Sequence, residues 1–333
     1  MARINRPAQV LRMVHRPMSL DDVDETLALL PAQVSTDAAE RAAIAAQWAD
    51  LLQLGPAVQS GLMEDLARPL GQRILGWGAS ILLSPAQAQA QHLDAEPQAF
   101  LARRVYADLR AGRLTLMDDR ELGRCNAAGE LVCLVLHFTL PHIDMADPQV
   151  HKIVACAQES FRVHHTGFHW QAIYLENCAA FHDVHRESGF FPRRFANEAE
   201  LDGLPDPQRP VFMGLTRDEA RRRLPGTTLR NCFECEPPRF RFSAQQRKLL
   251  WLALFDDADA AAMPALGVSV HGLKKLWRGI YERVETVEPG FFGDDAGDDL
   301  SDGEARRGPE KRRQVLAYVR QRMEELRPWN PAA

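Results

Sequence analysis

The chain has 333 residues, 46% hydrophobic and 26% charged, with a formal net charge of −5. That length exceeds one average domain and the composition supplies a sizeable core, so two domains are expected. The negative balance excludes a chain that coats nucleic acid indiscriminately, yet it leaves room for a local basic surface. Six cysteines over this length, with no secretory pattern in MARINRPAQVLRMVHRP, fit a reducing, cytoplasmic setting. The longest apolar runs are strand-sized, so no membrane span is expected.

In chain order, a basic and loose start of about twelve residues precedes MVHRPMSLDDVDETLALLP. This reads as a strand, a turn capped by Ser19, and a helix with Asp21, Asp22 and Asp24 in its first turn, where acidic groups meet the positive end of the helix dipole. Residues 37–54 are Ala-rich and helical. RILGWGASILL (73–83) and LVCLVLHF (131–138) are strands bounded by Pro and Gly. Residues 147–167 form a helix with Pro148 at its start and Gly167 just past its end. FHWQAIYLE then gives a strand and NCAAFHDVHRESG a helix ending at Gly189. Strands and helices interleave, so the fold class is α+β, a mixed sheet covered by helices. The Pro-rich stretch 196–240, with TRDEARRRLPG as a short helix, reads as a connector packed on the first domain. Beyond Phe242 the chain is helical up to GDDAGDDLSDGE (293–304), whose composition reads as a flexible loop. A last helix is expected over 309–326.

Three helices fit between Ser243 and Val287. SAQQRKLLWLALF starts at a Ser243 cap, DADAAAMPAL stops at Gly267, and the third starts at Ser269, whose hydroxyl can cap the following turn. Leu273, Leu276, Trp277, Ile280, Val284 and Val287 form its apolar stripe. His271, Lys274, Lys275 and Arg278 are neighbours on the opposite face. Two helices joined by a tight Gly-containing turn make a helix-turn-helix, whose second helix enters the major groove by its N-terminal half. Ser269, Val270, His271, Lys274, Lys275 and Arg278 are therefore the candidate DNA-binding residues, with Arg278 placed to reach a phosphate.

FSAQQRKLLWLAL followed by ALGVSVHGLKKLWRGIYERV resembles the LuxR-type helix-turn-helix of bacterial transcription regulators over about forty residues. It departs from that pattern in three places. Gln246 stands for the usual Glu, Pro264 sits inside the middle helix, and Gly272 replaces a Thr. Lys311, Arg312 and Arg313 open the last helix while Glu324 and Glu325 end it, opposite to what the dipole favours. Such a cluster suggests an anionic partner, either DNA backbone or the acidic 294–304 stretch.

In the first half, VHRPMSLDDVDETLALLP resembles the opening of GNAT-type acyl-CoA N-acyltransferases. NCAAFHDVHRESGF is similar to their NxxAxxxYxxxGF helix, matched at Asn177, Ala180, Gly189 and Phe190. That family cradles pyrophosphate in a Gly-rich loop, because glycine lets backbone amides approach phosphate. Here TLPHIDMADPQVHK supplies no glycine and two aspartates. His185 falls where the family often has a general-acid Tyr. The resemblances imply a DNA-binding transcriptional regulator with a catalytically inactive acyltransferase-like sensor or dimerisation domain. The alternative is an N-acyltransferase using acetyl-CoA or another acyl-CoA, with a helical DNA-binding tail. The expected division is a GNAT-like domain over 1–195, a connector over 196–240 and the helix-turn-helix domain with its C-terminal helix over 241–333. Expected partners are double-stranded DNA, a second copy of the chain as a homodimer, and a small-molecule effector. No catalytic residue, cofactor or metal is assigned. Cys232 and Cys235 form a lone CxxC that reads as two small apolar side chains, since zinc needs a second pair or nearby His. His164, His165 and His169 cluster at a helix end, where they read as capping the helix and packing, with the dipole favouring protonated imidazole.

Overall fold

A computed structural model describes residues 11–256, 258–293 and 303–331, with backbone alone for 303–307. The first ten residues and most of the acidic stretch 293–304, both read as loose in sequence, lie outside the described residues.

Seven strands form one mixed sheet: β1 (Met13–Pro17), β2 (Val58–Asp65), β3 (Ile74–Leu83), β4 (Leu131–Thr139), β5 (Trp170–Cys178), β6 (Phe191–Arg193) and β7 (Pro210–Thr216), in the order β1-β2-β3-β4-β5-β7-β6. Every pairing is antiparallel except β4 with β5. A parallel pair needs a crossover, here supplied by the helix between the two strands. This seven-stranded mixed sheet with its helices is α+β, as the sequence implied.

Helices α1 (Ala38–Leu51), α2 (Leu101–Arg110) and α3 (Asp119–Ala128) belong to the larger core, with α4 (Pro148–His165) and α5 (His182–Ser188) against the smaller one. In the larger core Trp48 and Trp77 meet edge to face, centroids 5.3 Å apart. Their polar edges are satisfied: Trp48 Nε1 donates to Tyr106 Oη (3.2 Å), Tyr106 meets His137 Nε2 (3.1 Å), and Trp77 Nε1 donates to Ser60 Oγ (2.9 Å). Tryptophan is seldom buried without such a partner.

Strand β2 is buried at every position, so it shows no apolar–polar alternation, and VQSGLMED does not advertise itself as a strand. Its Gly61 lets α4 come close. A Cβ there would stand 2.5 Å from Ser160 Oγ and 3.1 Å from His164 Cε1.

The stretch 196–240 departs from its reading as a connector. Its residues Pro210–Thr216 are β7, hydrogen-bonded between β5 and β6, so the sheet extends beyond residue 195. The helix expected over 177–189 begins later. Asn177 and Cys178 finish β5, a 3-10 turn follows at Ala179–Phe181, and α5 ends at Gly189 with φ +116°.

The remainder is helical: α6 (Ala244–Phe255), α7 (Asp259–Leu266), α8 (Val270–Val287) and α9 (Gly303–Gln321), followed by a 3-10 turn at Met323–Leu326. These elements bury a core of their own, including Phe240, Leu249, Leu250, Leu273, Trp277 and Val319. The last helix starts at Gly303 rather than at Pro309, which lies inside it. Among the described residues, no helix is long and apolar enough to cross a membrane.

Candidate functional site

The face of α8 is set by its cap and its stripe. Gly267 closes α7 at φ +65°, a conformation in which glycine carries no steric penalty. Ser269 then caps α8, its Oγ accepting from the Gly272 amide at 3.2 Å. Leu273, Trp277, Ile280 and Val284 are buried against α6 and α9. Ser269, Val270, His271, Lys274, Lys275 and Arg278 are all exposed. Among the described residues, Lys274, Lys275 and Arg278 have no ion-pair partner, and His271 has none either.

The departures from the family pattern are absorbed locally. Gln246 completes a capping box, with its Oε1 accepting from the Ser243 amide (2.9 Å) while its own amide donates to Ser243 Oγ (3.4 Å). Pro264 is accommodated inside the eight-residue α7. At Gly272, an added Cβ would come within 3.2 Å of the Val268 side chain, so the small residue lets the turn pack closely.

The basic cluster on α9 serves the helical unit itself. Arg312 pairs with Asp259 of α7 at 2.8 Å and lies over the Trp277 ring at 4.5 Å. Arg313 pairs with Glu310 (2.8 Å), and Lys311 Nζ lies 4.7 Å over Phe292. With the helix beginning at Gly303, these residues are not in its first turn. The acidic stretch considered as their partner lies outside the described residues. Glu325, expected to end the helix, is buried and accepts from the amides of Arg239 (2.8 Å) and Phe240 (3.0 Å).

The helical unit is fastened to the sheet domain at both of its ends. Near its start, Arg247 makes a two-pronged pair with Asp119 of α3, at 2.6 and 2.7 Å. Near its end, the buried Arg327 donates to the carbonyls of Thr166 (3.0 Å) and Val163 (2.7 Å), closing the C-terminal turn of α4. It also lies over Phe168 and Trp251, and burial pulls its guanidinium down to about 9. Pro328 O accepts from Asn126 Nδ2 (2.8 Å), and the Asn330 amide donates to Gly123 O (2.9 Å).

A second site lies where the sheet opens. β4 and β5 pair only from Leu131↔Trp170 to Val135↔Leu175, after which β4 stays with β3 and β5 with β7. The Asn177 side chain spans the parting, donating to Phe138 O at 3.2 Å and meeting His185 Nε2 at 2.9 Å. Beside it lies a cavity of about 800 Å³, its mouth included, bounded by β2, β3, β4, β5, α4 and α5. Its wall is mainly apolar, with Met63, Phe138, Phe161 and Leu175 prominent, and contains no Asp, Glu, Lys or Arg.

The three histidines in this wall are neutral. Burial lowers His164 and His165 to about 3 and His185 to about 4. His164 and His165 do cap the last turn of α4, their Nδ1 atoms each 2.8 Å from the carbonyls of Ser160 and Phe161. The protonation that the dipole favours is overruled by burial. His185 lines the cavity. His169 sits apart, stacked on Trp329 with centroids 6.4 Å apart.

The N-terminus of α4, where pyrophosphate would be cradled in the acyltransferase family, does not fit an anion. Asp147 Oδ1 accepts from the Gln149 amide (2.8 Å) and Asp144 Oδ1 from the Ala146 amide (2.9 Å). The Gln149 amide bond and the neighbouring His142 hold the Asp147 carboxyl below its usual range. Two carboxylates thus take the amides that a phosphate would need, and they repel it. Cys232 and Cys235 are free thiols, each pushed up to about 12 by burial. Among the described residues, no group of three His, Cys, Asp or Glu is placed to hold a metal.

No family model and no curated protein matches the chain. Among solved structures it is similar to a spermidine N-acetyltransferase from Vibrio cholerae (10% identity, TM-score 0.34), over 62% of this chain and 94% of that one. It is also similar to Arabidopsis thaliana NAA60 in complex with a bisubstrate analogue (11% identity, TM-score 0.36), over 61% and 97%. A third is FeeM, an N-acyl amino acid synthase from uncultured soil microbes (12% identity, TM-score 0.32), over 65% and 97%. Overlaps this loose carry no inference about chemistry, and none of these names speaks of DNA.

Proposed function

We propose that the chain is a DNA-binding regulator in which α6, α7 and α8 act as a helix-turn-helix and the acyltransferase-like domain senses a small molecule. The observation that carries this reading is the contrast among the cations of the helical unit. Arg239, Arg247, Arg283, Arg312, Arg322 and Arg327 are each tied to a carboxylate or carbonyl within the chain. Lys274, Lys275 and Arg278, on one exposed face at i, i+1 and i+4 with His271 beside them, are not. Among the described residues Arg241 and Lys248 are unpaired too, but one precedes α6 and the other lies on it, so they form no cluster. A capped helix N-terminus with an unengaged cationic face, presented beyond a tight turn, suits a phosphate-lined groove. Ser269 and Val270 at its tip, with His271, Lys274 and Lys275, would face base edges, and Arg278 a phosphate. Binding as a homodimer on two half-sites belongs to this proposal.

The test is a salt-dependent binding assay on mixed-sequence duplex DNA, comparing the wild type with Lys274→Ala/Lys275→Ala. Each lost phosphate contact reduces the slope of log affinity against log salt by about 0.9. The double variant should bind more weakly through its lost base-edge contacts, and Arg278→Ala, which removes the phosphate contact, should make the slope shallower by about 0.9. Equal affinity and equal slope would remove the reading.

A second reading, an acyl-CoA N-acyltransferase, draws on the sheet opening between β4 and β5 and on His185 beside it. The closed N-terminus of α4 and a His185 that is neutral at ordinary pH count against it. Calorimetry with acetyl-CoA decides: micromolar binding together with turnover of an amine would establish this reading in place of the first.

A further inference from the structure

The exposed residues of α8 change character along its length. From Ser269 to Arg278 they are a serine, a valine, a histidine and three cations. The first carboxylates of the helix are Glu282 and Glu285, both exposed and beyond Arg278. Its first turn holds no acidic residue, although a carboxylate there would stabilise the helix start. Such a helix can enter a phosphate-lined groove by its N-terminal half alone.

The same residues narrow which bases that half reads. In the major groove cytosine presents an amino donor that calls for a carboxylate, and adenine pairs best with the amide of Asn or Gln. Between Ser269 and Arg278 there is no Asp, Glu, Asn or Gln. Guanine presents two acceptors, N7 and O6, which an ammonium matches. Lys274 and Lys275 are exposed, with no ion-pair partner among the described residues. Thymine presents a methyl group, which calls for an apolar contact. Val270 is 57% exposed, and among the described residues it is the one large apolar side chain of the helical unit standing so far in solvent. Ser269 is engaged by the cap, its Oγ accepting from the Gly272 amide. The ring of His271 can serve several bases and sets no preference. Val270 and Lys274 are four residues apart, about 6 Å along the helix, which is close to two base-pair steps.

From this chemistry we infer that α8 prefers duplex sites in which guanine stands within about two base pairs of thymine. Lys274 and Lys275 meet guanine N7 and O6, and Val270 packs on the thymine methyl. This rests on the regulator reading given above and names the bases that the same face selects.

The test uses the full chain to select duplexes from a random-sequence library. The recovered site is then made again with 7-deazaguanine, which lacks the N7 acceptor, or with uracil, which lacks the methyl. The wild type should enrich guanine beside thymine and lose about three- to tenfold in affinity for the 7-deazaguanine duplex. It should lose about three- to fivefold for the uracil duplex, the effect of one methyl group. Val270→Ser should bind the thymine and uracil duplexes alike and keep its sensitivity to 7-deazaguanine, and Lys274→Ala/Lys275→Ala should do the reverse. All three side chains are exposed, so these variants keep the fold. Enrichment of no sequence, or of sites without guanine and thymine, would overturn the inference. So would a wild type indifferent to both modified bases, or a Val270→Ser variant that still separates thymine from uracil. Salt-dependent duplex binding that persists through such a result leaves the regulator reading standing, whereas no duplex binding at all removes both.

Discussion

The N-termini of α4 and α8 make an instructive pair. Both are capped by a side chain that accepts from a first-turn amide, Asp147 in one and Ser269 in the other. Both carry the partial positive charge of a helix start. Around Asp147 the chain adds Asp144 as a second acceptor, so the end of α4 is electrostatically spent. Around Ser269 it adds a neutral hydroxyl and a free cationic face, so the end of α8 keeps its pull on an anion. An anion site is thus decided by what the cap leaves over, and not by the presence of a helix start.

The largest test of this contrast separates the two regions physically. Arg327→Ala leaves the Thr166 and Val163 carbonyls unpaired at the far end of α4 and should cost about 3 kcal/mol in a urea melt, because bonds from a charged donor are the stronger kind. A loss below about 1 kcal/mol would mean that the helical unit is held on by other contacts. Next comes the double lysine variant, for which about a tenfold loss of duplex affinity at moderate salt is expected from the loss of two base-edge contacts.

Acid provides the third test. The folded chain protonates His164 and His165 only near 3 and His185 near 4, while in the unfolded chain they titrate near 6.5. Between those values the unfolded state binds more protons, so stability is full above about 6.5 and is lost as pH falls toward 4. Glu176 opposes this. Burial raises it to about 7 from 4.5, so its contribution is present at low pH and fades as pH rises through 7. His137, lowered by burial to about 3, acts with the three, and Glu325, raised by burial, acts with Glu176, so four histidines against two carboxyls give a melting temperature lower at pH 5 than at pH 7. A flat profile would contradict neutral buried histidines in the cavity wall and at His137. The smallest expected effect is at the cap of α4. Asp147→Ser keeps an acceptor and removes a charge, so stability should move by less than about 0.5 kcal/mol. Wild type should show no thermal shift with coenzyme A, and a clear one would break the contrast between the two helix starts.

Much of this was visible in the sequence where one face of an element is buried. The strands at 73–83 and 131–138, the helix with Pro148 at its start, and the Ser269 cap all follow from periodicity and punctuation. What escaped did so for physical reasons. β2 is buried on both faces and has no alternation. β7 lies among prolines and takes its place through pairing with β5, a long-range event that no local pattern records. The site was half legible: the cationic face of α8 is a helical period, and its exposure agrees with that reading. The cavity could not be seen, because His164 becomes its wall only when β2 passes beneath α4 at Gly61.

The stitching of Arg327, Pro328 and Asn330 to α3 and α4 carries a mechanical consequence. With one anchor at Arg247 and another at Asn330, the helical unit resembles a door screwed down along both edges. With both edges held, pivoting about a single hinge would require breaking one set of these bonds, the Arg247 pair or those of Arg327 and Asn330.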